Sequence, residues 1–180
     1  FHANGGNASF SVMANTLRGV YGTDVLIAAA NSFTGSVLQA DYIRKMAISM
    51  IMPNGLMSHQ RTMTGAELKE TVRAFVEGCE GGFVPFNRGS LPVVSGITLE
   101  VKEENGSYTL TGITRNGQPL RDDDTVTVTC LAPEKQMAAL LADENGTSAD
   151  GDTWVKNTWR DYVLGGGAVL AEPENYITLR

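Results

Sequence analysis

The chain has little of the side-chain chemistry that hydrolytic and nucleic-acid-binding proteins use most. Histidine occurs twice in 180 residues, as His2 and His59, and cysteine twice, as Cys79 and Cys130. A two-metal hydrolytic centre needs several His and carboxylate ligands held together, and these two histidines stand at no ligand spacing. Two cysteines are too few for a disulfide framework, and their separation matches no zinc pattern. They form either one bridge or two separate thiols, and the second is the expectation. Basic charge is scarce and scattered: 14 Lys and Arg face 20 Asp and Glu, a net charge of −6. Phosphate backbones are gripped by clustered Lys and Arg, so no nucleic-acid partner is expected. Long apolar runs are missing as well. No stretch approaches the ~20 residues that cross a bilayer, and no charged segment followed by an apolar one marks a leader peptide. The sequence opens on Phe1 rather than on methionine, and a processed chain or a piece of a larger parent is expected.

What is present is ordinary globular material, 42% hydrophobic and 19% charged, in a length that suits one domain. Three Asn-x-Ser/Thr sequons, at Asn7, Asn105 and Asn145, lie in polar, Gly-containing stretches and matter only where the source glycosylates. Residues 8–20 carry Phe10, Val12, Met13 and Leu17 near helical spacing, with Asn7 as N-cap and Gly19 as stop. "TDVLIAAA" is a short continuous apolar run, as in a strand covered on both faces. Asp41 heads a turn through "YIRKM", "AISMIMP" is extended up to Pro53, and "SHQRTM" alternates as a strand. Thr64 and Glu67 form a capping box ahead of a helix whose apolar face is Leu68, Val72, Phe75 and Val76. Residues 81–92 read as a loop. Two alternating strands then meet near Asn105-Gly106, a tight turn follows at Asn116-Gly117, and "TVTVTCL" is a β-branched strand. Pro133 is expected to open a helix through "EKQMAALLADE". Asp152 or Thr153 caps "WVKNTWRDYVL", with Trp154 and Trp159 both on its packing side, and Gly165-Gly166-Gly167 ends it. Helices and strands mix without βαβ repetition, so the expected fold is a single α+β domain over residues 1–180, with a mixed β-sheet, a hairpin and flanking helices.

The order of these pieces resembles the C-terminal domain of the 5'-nucleotidase / UDP-sugar hydrolase family. The pieces are "MTGAELKE", "VVSGITLEV", "ITRNGQPL", "TVTVTCL" and the closing "TWRDYVLGGGAVLAEPENYITLR", and the likeness runs from about Gly6 to the end. Its most specific markers, Thr64-Gly65 with Glu67-Leu68 and Ser95-Gly96, are fold markers rather than catalytic residues. The resemblance implies a domain that positions a nucleotide for a separate N-terminal metallophosphoesterase domain, where the divalent metals would sit. No cofactor and no catalytic residue is expected in this chain. Family members are mostly exported bacterial or cell-surface proteins, which implies a periplasmic, cell-wall or extracellular location.

At the positions where the family meets its ligand, this sequence departs from it. A Gly-Gly-x-Arg motif corresponds to Asn31-Ser32-Phe33-Thr34, with Thr34 in the place of the arginine. A neutral hydroxyl does not replace a fork of charged donors. Pro-Phe-Gly-Asn corresponds to Pro53-Asn54-Gly55-Leu56, so Asn54 stands where an aromatic stacks on the base, and Ala132 falls near the second stacking aromatic. Base–aromatic stacking is worth about 1–3 kcal/mol per base, so these changes are expected to remove several kcal/mol of nucleotide affinity. The candidate ligand-binding set is therefore Asn31, Ser32, Thr34, Asn54, Gly55 and Ala132, suited to a neutral or sugar-like ligand better than to a nucleotide. The other reading is a structural or protein-interaction module that has lost its ligand. Ser32, Ser36, Ser95 and Cys130 are the candidate nucleophiles, none with a motif-placed base. Asp122-Asp123-Asp124 reads as a solvated turn rather than a metal site.

Overall fold

A computed structural model describes residues 8–28, 56–77, 91–133, 154–167 and 177–179. Along the chain these form α1 (Ala8–Tyr21), β1 (Val25–Ala28), β2 (Leu56–Thr64), α2 (Gly65–Glu77), β3 (Val93–Ser95), β4 (Thr98–Glu104), β5 (Ser107–Arg115), β6 (Gln118–Pro119), β7 (Thr125–Pro133), α3 (Val155–Leu164) and β8 (Ile177–Leu179). The strands make two four-stranded sheets rather than one. The first has the order β2-β7-β1-β3 and the second β6-β5-β4-β8. Each mixes directions: β1 runs parallel to β7 and antiparallel to β3, and β4 runs parallel to β8 and antiparallel to β5.

Side chains alternate across a strand, so the apolar run of β1 is divided between two cores. Leu26 and Ala28 join Leu56 and Leu131 under α1 and α3, against Phe10, Met13, Leu17 and Trp159. Val25 and Ile27 face the other way with Val128, Cys130 and Ala132. There they meet Leu68, Val72 and Phe75 of α2 and Leu99, Val101 and Ile113 of the second sheet. All four residues of β1 are fully buried. At about 1.5–3 kcal/mol for each large apolar side chain withdrawn from water, this double coverage is the main adhesive of the fold.

The turns explain the hairpins. Asn105 and Gly106 have φ of 53° and 78°, and Asn116 and Gly117 have 52° and 75°. Two successive left-handed residues define the type I′ turn, whose twist matches that of the strands it joins. At the head of α2 the Thr64 Oγ1 accepts from the Glu67 N–H at 3.2 Å, and Glu67 Oε2 accepts from the Thr64 N–H at 2.7 Å, closing the expected capping box.

Some expectations are corrected. Helix α1 runs through Gly19 to Tyr21, and Gly22, with φ of 66°, ends it. Strand β7 continues to Pro133, which pairs with Leu56, so Pro133 closes a strand instead of opening a helix. As the last residue of the strand it breaks no internal ladder bond. The expected helix beyond it, the segments "YIRKM" and "AISMIMP", and residues 81–90 lie outside the described residues. At α3 the cap position is Trp154, with no side-chain cap bond. Trp154 is exposed, with the Lys156 ammonium over its ring at 4.8 Å, while Trp159 is buried. The two tryptophans do not share the core. The glycines end α3 as expected: Gly166 takes φ of 83°, and the N–H groups of Gly165, Gly166 and Gly167 return to the carbonyls of Asp161, Val163 and Tyr162.

Candidate functional site

Of the six candidate ligand residues, Asn31, Ser32, Thr34, Asn54 and Gly55 lie outside the described residues. Ala132 is described: it is fully buried in β7, opposite Met57. The strands that flank the others meet at one end of the first sheet. The last residue of β1, Ala28, pairs with Leu131, and the first residue of β2, Leu56, pairs with Pro133. The chain thus leaves β1 beside Leu131 and enters β2 beside Pro133, two residues apart at the same end of β7.

The candidate nucleophiles within the described residues are structural. Cys130 is a free, buried thiol, and burial pushes it up to about 12, with Arg61 acting the other way. A thiol held protonated is a poor nucleophile. Ser95 is fully buried; its Oγ donates to Asn15 Oδ1 at 2.5 Å and accepts from Arg18 Nε at 2.8 Å. His59 sits half-buried in β2, opposite Cys130. The three aspartates spread their carboxylates in different directions: Asp122 pairs with Lys69, Asp123 with Arg121, and Asp124 accepts from the Arg121 N–H. Among the described residues no group of three or more His, Cys, Asp or Glu side chains is placed to hold a metal ion.

The polar cluster that the sequence did not announce lies at the other end of β1. The guanidinium of Arg18, in the last turn of α1, links the buried Ser95 to the Asp24 carbonyl, 3.4 Å from its Nη1. The Asp24 carboxylate accepts from the Thr127 N–H and Oγ1, each at 2.9 Å, and from Arg115 Nη2 at 2.6 Å. The Thr127 backbone N–H, with its hydroxyl and Arg115, holds Asp24 below the ordinary carboxylate value, against the smaller, opposite pull of desolvation. These groups border a groove of about 480 Å³ between α1, the β3–β4 turn and the β5–β6 hairpin. In the sequence this region was marked by Ser95-Gly96, as a marker of the fold, and by the tight turn at Asn116-Gly117, neither of them read as a site.

No family profile matches the chain, and no curated protein matches it. Solved structures do. A 5'-nucleotidase precursor from Thermus thermophilus shares 16% identity at a TM-score of 0.66, over 96% of this chain and 34% of that one. The fold is that of a 5'-nucleotidase C-terminal region. The NAD nucleotidase of Haemophilus influenzae has this 5'-nucleotidase fold too, at 15% identity and a TM-score of 0.68, over 98% of this chain and 34% of its own. So does a sulfate thiohydrolase of Thermus thermophilus solved with glycerol, at 14% identity and a TM-score of 0.63, over 96% of this chain and 32% of its own. The chain spans about a third of the length of these proteins. The names of the three differ in substrate, so the 5'-nucleotidase fold leaves the ligand to be read from the site.

Proposed function

We propose that this chain is the substrate-positioning domain of a larger 5'-nucleotidase-like hydrolase whose ligand contacts have changed. One observation carries the reading: nearly the whole chain superposes on about a third of each of several hydrolases. A module of that size, shared by proteins named for different substrates, suits a specificity domain that works beside a catalytic one. The partner is then an N-terminal metallophosphoesterase domain of the same parent, where divalent metals would act, and the parent is exported. The ligand is rimmed by Asn31, Ser32, Thr34, Asn54 and Gly55, with Ala132 beneath. With Thr34 in the place of an arginine and Asn54 in the place of an aromatic, the rim offers hydroxyls and amides to a neutral, sugar-like molecule.

The alternative is a structural or protein-interaction module. The full burial of Ala132, at the position near a stacking aromatic, favours it. Thermal-shift screening against nucleosides, nucleotides, UDP-sugars and simple sugars at millimolar concentration separates the two. A ligand at 100 times its dissociation constant stabilises by about 2.7 kcal/mol. A shift with sugars alone is the expected outcome. A shift with nucleotides would restore ordinary nucleotide positioning, and silence across the panel would favour the module that binds no small molecule.

A further inference from the structure

The groove beside Asp24 lies at the end of β1 opposite the strand ends that flank the candidate ligand segments, and nothing in the proposed function uses it. Two guanidiniums border it in a chain that is otherwise acidic. Arg115 reaches in from the β5–β6 hairpin and spends one Nη2 on Asp24. Arg18 reaches in from α1 and bonds a hydroxyl and a carbonyl, and among the described residues it has no carboxylate partner. Asp24 cannot compete for a ligand's place, because both of its oxygens already accept bonds from Arg115 and Thr127. Two cations and one spent carboxylate leave a local charge of +1. The cross-strand pair Thr98 and Thr114 presents two hydroxyls on one face of the same groove.

The arrangement is also rigid. Gly96, at φ of 85°, lets its backbone lie directly against the Asp24 carbonyl and the Arg18 side chain. The buried Ser95–Asn15 bond fixes the Arg18 Nε. A guanidinium held through one edge keeps its remaining N–H donors free and aimed, which lowers the ordering cost of binding an anion.

We propose that this groove is an oxyanion site that takes a phosphate group between the guanidiniums of Arg18 and Arg115, with the hydroxyls of Thr98 and Thr114 at its rim. A tetrahedral, doubly charged group suits donors that converge from two elements better than a planar carboxylate, which one fork saturates. The phosphate comes either free or as the end of a nucleotide.

The test is an NMR titration of the arginine Nε–H resonances of the whole 180-residue chain at constant ionic strength. Inorganic phosphate, adenosine monophosphate and adenosine are the three probes. The expected result is a saturable shift of Arg18 and Arg115 with both phosphates and none with adenosine. Equal affinity for the two phosphates would assign the free ion, and tighter binding of the nucleotide would assign a phosphate ester. Arg115→Lys keeps the charge opposite Asp24 but loses the fork, and is expected to weaken phosphate at least fivefold. Lys69→Gln, at a residue of α2 that pairs with Asp122 and does not line this groove, should leave the affinity unchanged. A linear response matched by chloride, or an Arg115→Lys variant that binds phosphate as the parent does, would overturn the proposal.

Discussion

Gly65 and Gly96 show what a single residue contributes here. Both belong to the dipeptides that carried the resemblance, and the structure gives the physical reason for each. A methyl group on Gly65 would overlap the Arg121 carbonyl, and one on Gly96 would overlap the Asp24 carbonyl. Gly96 also has φ of 85°, a backbone conformation that a side chain disfavours. Gly96→Ala is therefore expected to lose about 2–4 kcal/mol, combining left-handed strain with a forced backbone shift. The loss is read as a fall in the urea midpoint. Gly106→Ala, also left-handed but with open space around it, separates the two causes. If Gly96→Ala costs no more than Gly106→Ala, the close approach of Asp24 contributes nothing. At this scale the fold markers were legible because a glycine whose hydrogen faces a neighbouring backbone has no substitute. The Arg18–Ser95–Asn15 chain was not legible, because its members are separated by up to 80 positions and each alone is an ordinary helix or strand residue.

Elements with a local cause were read well from the sequence. The capping box that opens α2 and the two Asn-Gly turns depend on contacts within three or four residues, and all three form as expected. Thr64→Ala should cost about 1 kcal/mol, the usual worth of an N-cap, because the Glu67 N–H loses its acceptor. Thr64→Ser should restore most of that loss. Circular dichroism during urea unfolding measures both, and a Thr64→Ala variant as stable as the parent would show that the Glu67 side chain alone secures the helix start. Element ends set by distant partners were misjudged. Pro133 resembles a helix opener in isolation, yet pairing with Leu56 draws it into β7. Trp154 has the apolar character of a core residue, but it stands one position ahead of the first buried residue of α3, Val155, and meets water and Lys156 instead. The candidate site lies mostly outside the described residues. Its residues were chosen by position within a resemblance, and the one that is described, Ala132, packs into the core.

At the scale of the whole molecule, the sequence could not show that β1 pairs with β7 and β4 with β8, since no local signal marks a parallel partner about a hundred or eighty residues away. That topology makes the first sheet a single cooperative unit. β7 lies inside it, bonded to β2 on one side and β1 on the other, and Cys130 lies in β7 with its thiol fully buried. Reaching the thiol requires β7 to separate from its neighbours and the core between the sheets to open. In a Cys79→Ser background, alkylation of Cys130 should therefore follow global unfolding, with a labelling rate that rises with urea at the slope of the equilibrium transition. The pH dependence follows from the same burial. Below the ordinary thiol value of 9.0 the group is protonated in both states, and its effect on stability is flat. As the pH rises above that value the unfolded chain ionises, while the folded chain holds its proton until about 12, so stability falls between the two. Cys130→Ala should abolish this share of the alkaline decline. Labelling that proceeds rapidly without denaturant, or that ignores urea, would mean that β7 opens locally and that the first sheet is not the cooperative centre of the fold.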